Sequence, residues 1–193
     1  MKSFEDVVTY WFEHPNDYKK WFFGGSEQDN FITLHYKDLL DTTIKHFDTI
    51  IVDELTSSEY LGLIILLDQF SRHIYRNNAK AFQQDKIALQ LSKQLLLHKK
   101  MHLYSSQEQL FALLPVQHSE IISDNTILLD YVNQQLTTCS SEDKNTFNAL
   151  LEHTIGHQTV LHQFGRYPKR NKALDRVSTS AECEYIENTT NPY

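Results

Sequence analysis

Between Leu61 and Arg76 the chain reads LGLIILLDQFSRHIYR. From Tyr60 to Leu67 it is almost continuously apolar, and then it turns abruptly polar with Asp68, Gln69, Arg72, His73 and Arg76. A run this apolar has to be covered, and 193 residues suffice to bury a substantial core as one domain or at most two small ones. At about 100° per residue, Leu61 and Ile65 point the same way as Asp68, Arg72 and Arg76. The spacing therefore predicts a helix that runs through the interior and emerges beside a polar pocket or an ion-pair cluster.

What can wrap such a helix is narrowed by composition. Five glycines and four prolines are too few for a turn-rich β architecture, so the other elements are expected to be helices too. The 40% apolar content argues for an ordered globule. A formal charge of −7 opposes non-specific nucleic-acid binding. Cys139 and Cys183 are isolated and lack metal-type spacing, which suits a reduced, cytoplasmic protein. The N-terminal MKSFEDVVTYWFEH is too short and too charged for a signal peptide, and no apolar run reaches membrane length.

Taken in order, the pattern predicts a short amphipathic helix over 3–13, broken at His14-Pro15-Asn16-Asp17, and a reversal at Gly24-Gly25. A long helix follows from Ser26 to about Ile51, and Ser57 or Ser58 caps the central helix. Further helices are expected near 84–98, from a Ser105/Glu108 capping box to a bend or end at Pro115, over 119–135, and from Ser140 or Ser141 to Phe164. Gly165 is a left-handed stop, and Thr179 with Glu182 caps a last short helix before the tail Asn191-Pro192-Tyr193. This is an all-α fold of about eight helices over residues 1–193, either stacked antiparallel hairpins in a curved layer or an irregular bundle.

Arginine is distributed unevenly. Of 18 basic residues, the five arginines fall in two stretches, Arg72 and Arg76, then Arg166, Arg170 and Arg176, whereas lysine is spread throughout. A chain that uses lysine for general charge keeps arginine where a planar, multi-donor fork is useful. Asp68, Arg72 and Arg76 follow at helical spacing, either as an internal ion pair or with a spare fork for a carboxylate or phosphate. The second stretch, FGRYPKRN, presents Arg166, Arg170 and Asn171 from a loop stiffened by Pro168. Those groups could cradle an anion or tie the loop to helix ends. His153 and His157, four apart, have the spacing of a metal pair but no identifiable third ligand, so no metal is expected. His118 and Glu120 lie two apart and do not converge on a regular helix. Trp11, Trp21 and Phe22 read as core. No nucleophile motif, phosphate loop or dinucleotide fingerprint is present, and no cofactor is expected.

The order Trp-Phe, then LLDQF with Arg72 and Arg76, then LP followed by HSE, then FGRYP with RN, resembles the bacterial family called domain of unknown function 924. The likeness covers nearly the whole chain. Its motif positions fall on Trp11, Trp21, Asp68, Gln69, Phe70, Arg72, Tyr75, Arg76, His118, Ser119, Glu120, His157, Phe164, Gly165, Arg166, Pro168, Arg170 and Asn171. The resemblance implies a tetratricopeptide-like helical fold and no assigned activity. Where the family has Leu-Gly-Arg, this chain has Leu174-Asp175-Arg176, so Asp175 must make a turn without glycine.

Three readings of function remain open. One is a binding or scaffold module that takes an anionic small molecule or an acidic peptide end. Its ligand-binding residues would be Gln69, Arg72, Arg76, His118, Glu120, His157, Arg166, Arg170 and Asn171. Another is an enzyme acting on an anionic substrate with His118 or His157 as general base. The third is a purely structural polar network. None requires nucleic acid or a membrane.

Overall fold

The computed structural model describes residues 2–14 and 16–189, so Pro15 and the tail Asn191-Pro192-Tyr193 lie outside the described residues. The described residues are helical and contain no strand. In chain order the α-helices are α1 Phe4–Trp11, α2 Tyr18–Phe23, α3 Ser26–Lys45, α4 Ser57–Ile65, α5 Ser71–Ile74, α6 Asp85–Leu97, α7 Ser106–Gln117, α8 Ile122–Thr138, α9 Lys144–Phe164 and α10 Ser180–Asn188.

Local chemistry sets most of the ends. Capping boxes start α1 (Ser3 with Asp6), α4 (Thr56 with Glu59), α7 (Ser105 with Glu108) and α10 (Thr179 with Glu182). In each, a hydroxyl accepts a first-turn amide while the carboxylate returns to the cap residue's own N–H. The central helix is thus capped by Thr56 and not by Ser57 or Ser58, because Thr56 is the residue that has its acidic partner three positions on. Gly165 closes α9 at φ 71°, where a side chain would be strained. Asp175 makes its turn at φ 52°, a region that aspartate tolerates better than most residues.

Several expected boundaries move: the helix expected over 119–135 spans Ile122–Thr138, and three others shift for reasons visible in the chain. The helix begun at Ser26 stops at Lys45, and two short 3₁₀ turns, Phe47–Thr49 and Val52–Glu54, lead into Thr56. Pro115 does not end α7, which runs on to Gln117. Proline forfeits one amide bond there, but within the last turn little helix remains to be disrupted. The helix expected from Ser140 or Ser141 starts at Lys144, since Ser140 Oγ bonds the carboxylate of Asp143 at 2.7 Å and delays entry.

α4, a π turn over Leu66–Phe70 and α5 form one continuous rod, in which the Ser71 amide reaches back five residues to the Leu66 carbonyl. Every residue from Leu61 to Ser71 is buried, so the rod is covered on all sides rather than along one stripe. α1 packs along α4, α3 against α5, and α6 and α7 on the remaining faces. The closest approach is at Gly62, where an added Cβ would sit 2.0 Å from the Phe4 carbonyl oxygen, so only glycine lets α1 lie this near. Trp11, Tyr36, Phe70 and Phe111 are fully buried, with Trp11 edge-on to Phe70 and Phe111 at 5.5 Å. Beyond α6, successive helices pack in pairs, α6 on α7, α7 on α8 and α8 on α9. A smaller apolar cluster of Val160, Leu161 and Tyr167, joined by Phe164 and Tyr185, pins the loop after α9 against the body.

No helix among the described residues is long and apolar enough to cross a membrane.

Candidate functional site

The rod turns polar where it leaves the core, and the π turn decides how. An extra residue per turn offsets the faces on either side of it, so the regular 100° projection fails beyond Leu66. Asp68 and Gln69 both end up buried, with the Gln69 amide donating to Asp68 Oδ2. Asp68 Oδ1 accepts from His118 Nδ1 at 2.8 Å and lies 3.3 Å from Arg72 Nη2. Burial by itself would raise the Asp68 pKa, but Arg72 and His118 outweigh it and hold this carboxyl well below the usual range. Because an ionised carboxylate only accepts, the Nδ1 of His118 carries the proton and its Nε2 the lone pair.

Arg72 has no spare fork. Its Nη1 and Nη2 take both oxygens of Asp85, at 2.7 and 3.0 Å, and Nη1 also reaches the carbonyls of Asp68 and Ala81, each at 3.2 Å. It fastens α5 to the start of α6. Arg76 does not continue the Asp68–Arg72 row, because α5 ends at Ile74 and the chain turns at Tyr75. It grips Asp29 of α3 through Nε at 2.5 Å and Nη2 at 2.7 Å, while His73 Nδ1 donates to the same carboxylate at 2.7 Å.

The loop after α9 divides its residues. Arg166 is spent on Glu182, at 2.6 and 2.8 Å, and holds that carboxyl down at about 2. Glu120 accepts from both terminal nitrogens of Arg176 and from the Tyr167 amide. Asn171 is buried and donates to Ser178 Oγ at 3.0 Å. These three, expected at a ligand site, instead lock the loop to α10, to the connection between α7 and α8, and to itself. Arg170 turns the other way. Its guanidinium lies 4.6 Å from the Tyr167 ring centre and 5.1 Å from that of Phe82, and Nη2 donates to the His118 carbonyl at 3.0 Å. Its Nη1 comes no nearer to Asp85 than 3.5 Å.

A cavity of about 640 Å³ opens where these elements meet. Six of the nine expected residues line it: Gln69, Arg72, Arg76, His118, His157 and Arg170. Glu120, Arg166 and Asn171 do not. His157, on α9, has its ring centre 6.2 Å from that of His118, and its Nδ1 donates to the His153 carbonyl at 2.9 Å. Burial, then the proximity of His118 and Arg170, pushes His157 down to about 2. His118 is also lowered, chiefly by burial and then by Arg72 and Arg170, against the opposing pull of Asp68. Both rings are therefore neutral near pH 7.

An aromatic part of the lining was not expected from the residues alone. Trp21 and Phe22 of α2, read as core, also line the cavity, together with Tyr18, Leu114 and Leu150. Trp21 serves both purposes, since it is only 4% exposed and bonds the Trp11 carbonyl through Nε1 at 2.8 Å. Lys169 lines the cavity as well. Asp85 gave no local signal, although five arginines in a chain without free surface arginine would have justified a search for their carboxylates.

Among functionally curated proteins, none is similar enough to match the chain. A solved structure, described as that of the protein of unknown function ATU0120 from Agrobacterium tumefaciens, superposes with a TM-score of 0.79 at 24% identity. The likeness covers 96% of this chain and 97% of that one, and at this identity it speaks for the fold. The profile of a family of bacterial proteins of unknown function, DUF924, matches residues 7–190. With the profile spanning almost the entire sequence, from the first helix to the last, the chain belongs to the DUF924 family.

Proposed function

We propose that the cavity binds a small organic anion. Its charged group sits at Arg170, and a flat apolar portion lies along Tyr18, Trp21 and Phe22. One observation carries this reading. In a chain of net charge −7, the residues lining the cavity include four bases, Arg72, Arg76, Lys169 and Arg170, and no carboxylate among the described residues. Asp29, Asp68 and Asp85 stand behind the arginines and orient them, and they do not face the ligand space.

Arg170 is the anchor in this reading. It is largely buried, the carboxylate it pairs with among the described residues lies at 3.5 Å and is already held by Arg72, and its Nε makes no hydrogen bond among them. An incoming carboxylate or phosphate would complete it with charge-assisted bonds. Arg72 belongs to the framework. A volume of about 640 Å³ suits a small molecule better than a length of peptide.

Thermal melts test this. Phenylpyruvate, an aromatic carboxylate, is expected to raise the melting temperature of the full chain, with inorganic phosphate giving a smaller rise. A ligand at 100 times its Kd adds about 2.7 kcal/mol to the folded state. Sodium chloride at equal ionic strength is expected to do less than either. Equal responses to all three would reduce the effect to general screening and remove the reading.

A further inference from the structure

Inside the cavity, His118 is set up for chemistry and not only for contact. Its Nδ1 is fixed by a carboxylate whose side chain is 1% exposed, while the ring keeps 16% of its exposure and borders the cavity. The edge bearing Nε2 is therefore the one left to the cavity, and Nε2 makes no hydrogen bond among the described residues. A buried acid that fixes the tautomer, with the second nitrogen open to a ligand, is the arrangement of a positioned general base. The π turn strengthens the case, because an extra residue inserted in a buried helix is a costly irregularity and here it is what carries Asp68 to His118.

The surroundings narrow the reaction. No serine, threonine or cysteine lines the cavity among the described residues, so His118 has no aliphatic hydroxyl or thiol there to activate, and the Tyr167 hydroxyl is bonded to the Gln117 and Ser119 carbonyls. The base can then act on the bound molecule itself. Arg170 lies next to it, tied to the His118 carbonyl, where it can hold an oxygen on which negative charge develops. The aromatic wall accepts an aryl group. These three features describe a carbon acid with an aryl group at one end and an anionic, carbonyl-bearing group at the other.

We infer that His118, positioned by Asp68, is the general base for proton transfer in an aryl-substituted 2-oxo acid, interconverting its keto and enol forms. This rests on the cavity being an organic-anion site. Nε2 removes a proton from C3, and the electron pair of the broken C–H bond becomes the C2–C3 double bond. The carbonyl π pair moves onto oxygen, held by Arg170, and the imidazolium then returns its proton to that oxygen. Atoms and electrons balance within substrate and histidine, with no oxidant or second substrate. Around the imidazole stand Asp68 from the π turn, Arg72 from α5, His157 from α9 and Arg170 from the loop.

The test is deuterium incorporation at C3 of phenylpyruvate in D₂O, followed by proton NMR with the full chain. The wild type is expected to exceed the same buffer without protein by roughly 100-fold or more, the usual range for a positioned base. H118Q should fall to within about three-fold of buffer. H98Q, which removes an exposed histidine bonded to Gln94 far from the cavity, should match the wild type. The wild-type rate should rise with pH to a plateau, with a midpoint below the ordinary 6.5 of histidine. D68N should lose rate and lower that midpoint further, because it withdraws the charge that favours the imidazolium, and a merely structural residue would not move it. An H118Q rate equal to the wild type, or a flat pH profile, overturns the inference. Stabilisation of the wild type by phenylpyruvate without exchange overturns it while leaving the anion site standing, and absence of both removes the two together.

Discussion

Two groups of arginines sit within one molecule and do different things. Arg166 and Arg176 each own a carboxylate, Glu182 and Glu120, and each adds a backbone carbonyl, so the charge of each is matched, although Arg176 Nε is buried without a hydrogen-bond partner among the described residues. At the cavity, Arg72 and Arg170 share Asp85, and Arg72 has taken both of its oxygens. Arg170 is left as a buried cation with incomplete partners. Both groups draw on FGRYPKRN and its neighbours, so residue type and motif do not distinguish them. What distinguishes them is the supply of carboxylates within reach. A fork with its charge matched is a strut, and a fork short of a carboxylate is a place for something to bind.

The severest way to break this contrast is to remove Asp68. D68A leaves His118 Nδ1 and the Gln69 amide without their buried acceptor and takes from Arg72 one of its two carboxylates, and should cost about 2–6 kcal/mol in urea melts, at about 1–3 kcal/mol for each unsatisfied buried donor. A small loss would mean that the cluster is not held as described. R72K comes next. It keeps the charge but not the two-pronged hold on Asp85, and losing a charge-assisted bond costs about 1.5–3 kcal/mol. An unaltered melt would demote Arg72 from strut to bystander.

Acid offers a third test. An unfolded histidine takes up its proton near 6.5, whereas His157 in the fold does so only at about 2. Between those values the unfolded state binds more protons, so stability is full above about pH 6.5 and falls as pH is lowered. The slope approaches about 1.4 kcal/mol per unit, or roughly 2 kcal/mol by pH 5. Denaturant melts from pH 7.5 to 5 should show this fall, and H157Q should flatten it. A parallel slope in that variant would place the sensitive group elsewhere.

The smallest effect on stability sharpens the comparison most. R170M removes a poorly compensated buried charge, so stability should stay the same or rise slightly, as happens when functional groups held at a cost are replaced. The same variant should lose the melting response to phenylpyruvate. R166M, which strands Glu182, should instead lower the melting temperature and keep the response. If the two variants behave alike, the division between struts and binding groups fails.

Much of the scaffold was legible in the residues. The Ser105/Glu108 and Thr179/Glu182 capping boxes, the stop at Gly165 and the burial of the rod from Leu61 follow from interactions within about four positions, or from hydrophobicity alone. The site was legible in part. The concentration of arginine pointed to a polar region, and Arg72, Arg170, His118 and His157 do border one cavity. The regular helical projection failed at the π turn, and Arg76 was assigned to the wrong row. Trp21 and Phe22 were read as core when they are also wall.

What the sequence by itself determined is the all-helical content, most helix ends and the family, because capping, backbone preference and apolar periodicity act over a few residues. Only the tertiary structure decided which acid neutralises which base. Arg72 meets Asp85 across 13 residues, Arg76 meets Asp29 across 47, and Asp68 meets His118 across 50. Coulomb attraction carries no preference for sequence distance. A charge pairs with whatever opposite charge the packed helices bring within about 3 Å, and that choice does not exist until the core has formed.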